Sequence, residues 1–214
     1  MNPLLIRSGL YAVTPEDELL PRLSTMVAAA LGGGVRLVQY RNKTAPPPLR
    51  RAQAAELLRL CRAHDAALIV NDDLALALEI AADGVHLGRG DGDIGAARIA
   101  LGPQKILGVS CYDDLELAAT AVKAGADYVA FGSIYPTTTK PDATSAPLSI
   151  LGEARRRFDV PIAAIGGIKL ANAAQTIAAG ADLLSVVSDV FDAEDIATRV
   201  REYNQLFELS ELSS

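Results

Sequence analysis

Short apolar runs alternate with longer stretches of helical periodicity along the chain. The runs fall at residues 10–13, 35–40, 67–70, 85–87, 106–109, 128–131, 162–165 and 183–187. Between them, apolar positions recur at helical spacing, as at Ala52, Leu57, Leu58 and Leu60, or at Leu115, Leu117, Ala118 and Val122. Strand followed by helix, repeated, is the pattern of a parallel sheet with crossover helices. The runs hardly alternate between apolar and polar residues, as expected of strands covered on both faces. Eight such units in one unbroken pattern predict a single (β/α)8 barrel rather than a doubly wound sheet, which more often has five or six strands. No composition shift or long linker divides the chain, so residues 1–214 are expected to form one domain. Pro46-Pro47-Pro48 is read as the start of a helix, not as a linker.

A short repeat supports this layout. Ala124-Gly125-Ala126-Asp127 precedes one apolar run, and Ala179-Gly180-Ala181-Asp182 precedes another. Gly32-Gly33-Gly34 and Ala82-Asp83-Gly84 stand in equivalent places. A glycine there is expected to end the helix in the left-handed region, after which the chain turns straight into a strand.

Composition narrows the picture. The chain has 214 residues, 50% apolar and 21% charged, enough to bury a real core. Aromatics are only 5% and Trp is absent, so Ala, Leu, Ile and Val must fill that core. A net charge of −6 argues against a nucleic-acid surface but not against a phosphorylated small molecule, for which a few local cations suffice. Cys61, Cys111, His64 and His86 form neither a disulfide framework nor a zinc motif. No secretory leader and no membrane-length apolar run is visible, so a cytoplasmic protein without membrane or nucleic-acid partners is expected. Oligomeric state does not follow from the sequence.

In a barrel of this kind the chemistry sits at the C-terminal ends of the strands. The second run leads into Gln39, Arg41 and Lys43, the third into Asn71, Asp72 and Asp73, the fourth into Gly88, Arg89 and Asp91. The fifth reaches Ser110. The sixth is followed by Thr137, Thr138, Thr139 and Lys140, the seventh by Gly166-Gly167, the eighth by Ser188. Each group has an ordinary structural reading: a solvated edge, a helix cap at Asn71-Asp72-Asp73, a tight turn at the glycines. His86 reads as a hydrogen-bonded core residue, and Cys111 as a small buried one. Their joint placement at one end is what carries weight. Arg41, Lys43 and Lys140 suit a polyanion such as diphosphate. Asp72 and Asp91 suit a hard divalent cation, Mg2+, which would keep them from repelling that anion. The glycines with Ser188 offer backbone N–H groups to a second phosphate.

At these residues the sequence resembles the thiamine phosphate synthase family. The motifs are VQYRNK at 38–43, VNDD at 70–73, ADGVHLG at 82–88, IYPTTTKP at 134–141 and AIGGI at 164–168, and the resemblance covers nearly the whole chain. It implies a transferase joining an aminopyrimidine methyl diphosphate to a thiazole phosphate, with or without a carboxylate on the thiazole. The products are thiamine monophosphate and diphosphate. It implies that Gln39, Arg41, Lys43, Asn71, Ser110 and Lys140 form the pyrimidine diphosphate site, with Arg41, Lys43, Ser110 and Lys140 in the catalytic role. Asp72 and Asp91 would bind Mg2+. Thr137, Thr138, Thr139, Gly167, Val187 and Ser188 would bind the thiazole phosphate. The implied mechanism is dissociative: diphosphate leaves a pyrimidinyl methyl cation, which the thiazole nitrogen attacks, so no protein nucleophile is required. The alternatives are a thiazole tautomerase of the same barrel family and a non-catalytic barrel that binds thiamine precursors. Five positions depart from the common form. Pro15 and Asn42 stand where acids are frequent, Arg89 where Gln is frequent, and Cys111-Tyr112 where a small residue and His are. Arg89 is expected to add a cation beside Asp91 that could pair with it.

Overall fold

The computed structural model describes residues 8–136 and 145–211. In chain order it contains β1 (Gly9–Val13), α1 (Leu20–Gly32), β2 (Leu37–Tyr40), α2 (Pro47–Ala63), β3 (Ala67–Asn71), α3 (Leu74–Glu79) and β4 (Gly84–Leu87). There follow α4 (Ile94–Leu101), β5 (Ile106–Tyr112), α5 (Leu115–Lys123), β6 (Tyr128–Phe131), α6 (Ser149–Arg157) and β7 (Ile162–Ile165). The chain continues through α7 (Leu170–Ala178), β8 (Leu183–Val186), α8 (Ser188–Phe191) and α9 (Ile196–Glu211). The strands pair in chain order, all parallel, and β8 closes on β1, so the predicted eight-stranded barrel is formed.

The elements start where the sequence chemistry dictates. Pro47 opens α2, where a missing N–H costs nothing. Asp73, Asp93 and Asp114 cap α3, α4 and α5, each carboxylate accepting backbone N–H groups of the first turn. Several strand ends differ from the apolar pattern, and three of the differences have a clear cause. Val35 is still tied to the end of α1, its N–H donating to the Ala30 carbonyl, so β2 begins only at Leu37. Val187 leaves the sheet to cap α8. Strand β5 outruns its apolar run and reaches Tyr112 through a register shift after Ser110, with Tyr112 at φ 58°.

The barrel interior holds Tyr11, Leu37, Ile69, Ile106, Tyr128 and Leu183 among small alanines, and a larger apolar layer lies between strands and helices. Two aromatic rings fit because Gly108 makes room: a Cβ there would stand 2.0 Å from the Tyr128 ring.

At the N-terminal end the repeat has a structural purpose. Asp83, Asp127 and Asp182 each accept a backbone N–H from the neighbouring strand, at Leu68, Leu107 and Ile162, within 2.7–2.8 Å. Arg98 and Arg155 then pair with Asp127 and Asp182. Gly125 and Gly180 take the expected positive φ, and in the α1–β2 turn Gly34 does so. The turn after α3 departs from the expectation. There Ala81 takes the positive φ, while Gly84 is already in the strand, where a Cβ would come within 2.2 Å of the Ile106 carbonyl oxygen. Among the described residues, no helix is long and apolar enough to cross a membrane.

Candidate active site

The C-terminal ends of β2 to β5 bring together most of the polar residues read from the sequence. Gln39, on β2, is buried and donates from Nε2 to the Tyr11 hydroxyl at 2.7 Å. Two residues on, Arg41 has its backbone clamped by Thr14, whose Oγ1 accepts the Arg41 N–H at 2.9 Å and donates to the Arg41 carbonyl. The Arg41 guanidinium pairs with Glu16 at 2.8 Å. Asn42 points the other way, into the layer beneath α2, where it donates to the Asp17 carbonyl and to Gln53 Oε1 and accepts the Ala45 N–H. The change from an acid at this position therefore serves the scaffold of the loop rather than its charge.

Lys43 reaches across to Asp72 at 2.7 Å. Asp72 follows β3 in the left-handed region, φ 63°, with its N–H held by the His86 carbonyl. Its carboxyl meets that of Asp91, whose Oδ2 also accepts the Gly88 N–H at 2.8 Å. Partial burial opposes the charge on Asp72, but hydrogen bonds from Lys43 and Asp91, with the charge of Lys43, outweigh it and hold the carboxyl below its ordinary range. Asp91 moves upward, by burial and by its contact with Asp72. The two carboxyls are thus driven in opposite directions, Asp72 toward the charged form and Asp91 away from it. Among the described residues no group of three or more His, Cys, Asp or Glu side chains could hold a metal, so the site offers two carboxylates and no cage.

Arg89 does not pair with Asp91. Its guanidinium lies over the Tyr112 ring, 4.8 Å from the centroid, and its N–H donates to the Tyr112 hydroxyl at 3.0 Å. Two of the departures from the common pattern therefore pack against each other, because the bulge in β5 turns Tyr112 over the loop after β4.

Beneath the mouth runs a buried chain of hydrogen bonds. Ser110 Oγ meets His86 Nε2, His86 Nδ1 meets the Tyr128 hydroxyl, and that hydroxyl meets Tyr11, each at 2.8 Å. Gln39 closes the chain on Tyr11. Burial pushes the His86 imidazole down to about 4, against the opposing charge of Asp72, so it is neutral at pH 7. His86 is the hydrogen-bonded core residue expected. Cys111 is fully buried and its thiol is pushed up to about 12, so it is no nucleophile.

On the far side, Gly166 and Gly167 both have positive φ, 102° and 62°. A Cβ on Gly167 would stand 2.5 Å from the Pro136 carbonyl oxygen, so only glycine lets the loop after β6 fold onto this turn. Val187 caps α8 and Ser188 opens it, exposed at the same mouth. Thr137, Thr138, Thr139 and Lys140 lie outside the described residues.

A cavity of about 250 Å³ at the mouth includes Lys43, Asn71 and Asp72 in its walls. A larger groove, about 940 Å³, runs outside the barrel between α2 and α3, but it touches none of the predicted site residues. Size alone does not mark a site, and the smaller cavity is the one whose walls hold predicted site residues.

Sequence reasoning did not single out Glu16, Tyr11, Tyr128 or the contact of Tyr112 with the Arg89 loop. Glu16 had a readable signal, since the first apolar run exits into Thr14, Glu16 and Asp17 as the others exit into their own polar groups. The tyrosines had none, because an inward tyrosine and a core tyrosine look alike in a sequence.

Comparison with known proteins places the chain by sequence and by fold. Residues 10–190 match the family described as thiamine monophosphate synthase. The chain is 54% identical over 200 residues to the thiamine-phosphate synthase of Aromatoleum aromaticum, covering 94% of this chain and 96% of that one. It is 54% identical over 199 residues to the enzyme of the same name from Thiobacillus denitrificans, covering 93% and 94%. Among solved structures, thiamine phosphate pyrophosphorylase from Pyrococcus furiosus superposes with a TM-score of 0.85 at 36% identity, over 95% of this chain and 96% of that one. By sequence along nearly all its length, and by fold, the chain belongs to the thiamine monophosphate synthase family.

Proposed function

We propose that this protein is a transferase that condenses an aminopyrimidine methyl diphosphate with a thiazole phosphate, giving thiamine monophosphate and diphosphate. The observation that carries the reading is the convergence of Arg41, Lys43, Asp72 and Asp91 at one barrel mouth, two cations and two carboxylates on three successive strand ends. The family membership and the names of its relatives support the same reaction.

Arg41 and Lys43 take the charge of the departing diphosphate, a role the family resemblance extends to Lys140. In an enclosed mouth such fixed donors stabilise developing charge far better than water does. Asp72 and Asp91 would hold Mg2+. The fit is chemical: two hard oxygen donors stand against each other at the mouth, and Mg2+ needs only one or two carboxylates beside water and phosphate oxygens. Bound there, the ion would neutralise diphosphate charge.

Gln39, Asn71 and Ser110 orient the pyrimidine. Gln39 and Ser110 are the two ends of the buried hydrogen-bond chain, so their side chains are held in place before substrate arrives. That chain is neutral at pH 7, so it fixes orientation without supplying charge or a nucleophile. Gly167, Val187 and Ser188, with Thr137, Thr138 and Thr139, hold the thiazole phosphate opposite. The enzyme's contribution is then to stabilise the leaving group and align two rings. One domain spanning residues 1–214 is part of the same proposal.

The test is direct. Purified protein with both substrates should give thiamine monophosphate and diphosphate in equal amounts, dependent on Mg2+. Arg41→Ala should cut turnover about 10²–10³-fold with folding intact. Metal-independent isomerisation of the thiazole phosphate without coupling would point to the tautomerase. Inactivity of the folded protein toward both substrates would leave the binding barrel.

A further inference from the structure

We propose that Glu16 is a positioning residue for Arg41, holding its guanidinium in the geometry that the diphosphate will meet. The inference rests on reading Arg41 as a diphosphate ligand. Glu16 lies in the loop between β1 and α1, and both its oxygens are engaged by the loop after β2. Oε1 takes Arg41 NH1 at 2.8 Å, and Oε2 accepts from Thr44 Oγ1 at 2.9 Å. Thr14 fixes the Arg41 backbone at both N–H and C=O. The Asp17 carbonyl accepts from both Asn42 and Gln53, so the two loops are stitched at their base as well. Backbone and side chain of Arg41 are therefore held from the same neighbouring loop.

An isolated ion pair with side chains 21% and 32% exposed would be an ordinary surface feature. This one differs in its place and geometry. It stands at the barrel mouth on a residue of the diphosphate site, and Thr44 fixes the carboxylate from its other side. Glu16 engages NH1, while the planar guanidinium also carries donors on its other two nitrogens. A guanidinium already fixed loses less freedom when it meets an anion, which lowers the cost of binding.

Glu16→Ala should raise KM for the pyrimidine diphosphate about tenfold, with kcat and the KM of the thiazole phosphate changed less than about twofold. Glu16→Gln keeps an oxygen for Arg41 and an amide for Thr44, and should recover most of the loss. Thr44→Ala, which removes only the second anchor, should raise the same KM a few-fold and serves if Glu16→Ala does not fold. Adding Glu16→Ala to Arg41→Ala should produce no further change, since the role acts through Arg41. The proposal is overturned if folded Glu16→Ala, or Thr44→Ala in its place, has the wild-type KM. It is also overturned if Glu16→Gln loses as much as Glu16→Ala, or if the double variant loses more than Arg41→Ala alone. Wild-type kinetics in Arg41→Ala would instead overturn the diphosphate-site reading itself.

Discussion

The two ends of this barrel use carboxylates in opposite ways. At the N-terminal end, Asp83, Asp127 and Asp182 recur at equivalent places, and each satisfies a backbone N–H of the preceding strand. At the C-terminal end, Asp72 and Asp91 do not repeat. They face each other and are neutralised in part by Lys43, a side chain that is 50% exposed. A repeated acid that answers a backbone donor belongs to the scaffold. An unrepeated pair of acids turned on each other, with a cation between them and solvent, is a poor stabilising device and a good place for a ligand. The difference separates structure from function in a fold whose eight units look alike.

That contrast can be broken most sharply at Lys43. Lys43→Ala should lower turnover by about 10²–10³-fold, equivalent to about 3–4 kcal/mol of barrier. Its melting temperature should stay near wild type, because a half-exposed ion pair contributes little to stability. A large loss of stability with normal turnover would place Lys43 in the scaffold instead.

His86 lies between the two ends, and pH probes it. Its imidazole titrates near 4 when folded and near 6.5 when unfolded, so between those values the unfolded chain binds more protons. Its contribution should be complete above about pH 6.5 and fall away by roughly 3 kcal/mol as pH drops toward 4. Urea midpoints across that range should follow this slope, and His86→Gln should flatten it. An unchanged slope in the variant would mean that His86 is not the group responsible.

At the scaffold end, Asp182→Ala removes the acceptor for Ile162 N–H and the partner of Arg155. It should cost about 2 kcal/mol of stability and leave both KM values unaltered. A shifted KM would show that the two ends are coupled. The smallest effect is expected at Tyr112→Phe, which takes away only the acceptor for the Arg89 amide. Hydrogen exchange at that amide should speed up by a factor of about five to ten, equivalent to about 1 kcal/mol, with global stability near wild type.

The alternation of apolar runs and helical stretches was enough to predict the barrel, because each strand, covered on both faces, must be apolar throughout. The same pattern misread strand ends. Val35 is apolar and reads as strand, yet the last turn of α1 claims its N–H. Tyr112 lies in β5 only because a bulge carries it there. The site was legible in its charged residues, since cations and acids at strand exits have few structural explanations in common. Its neutral parts were not. Nothing local marks Tyr11 and Tyr128 as a bridge from Gln39 to His86, because those contacts span four strands of the barrel.

By itself, then, the sequence determined the order of elements, the barrel class, the helix start at Pro46-Pro47-Pro48, and the set of charged residues at one end. These follow from local chemistry: periodicity, turn geometry and the polarity of each strand exit. Only the tertiary structure decided which charges meet. It paired Arg41 with Glu16, Lys43 with Asp72, Asp72 with Asp91, and Arg89 with Tyr112 rather than with Asp91. Closure of the barrel sets those partners, because it brings residues distant along the chain within hydrogen-bond reach, where a shift of a few ångströms decides which pair forms.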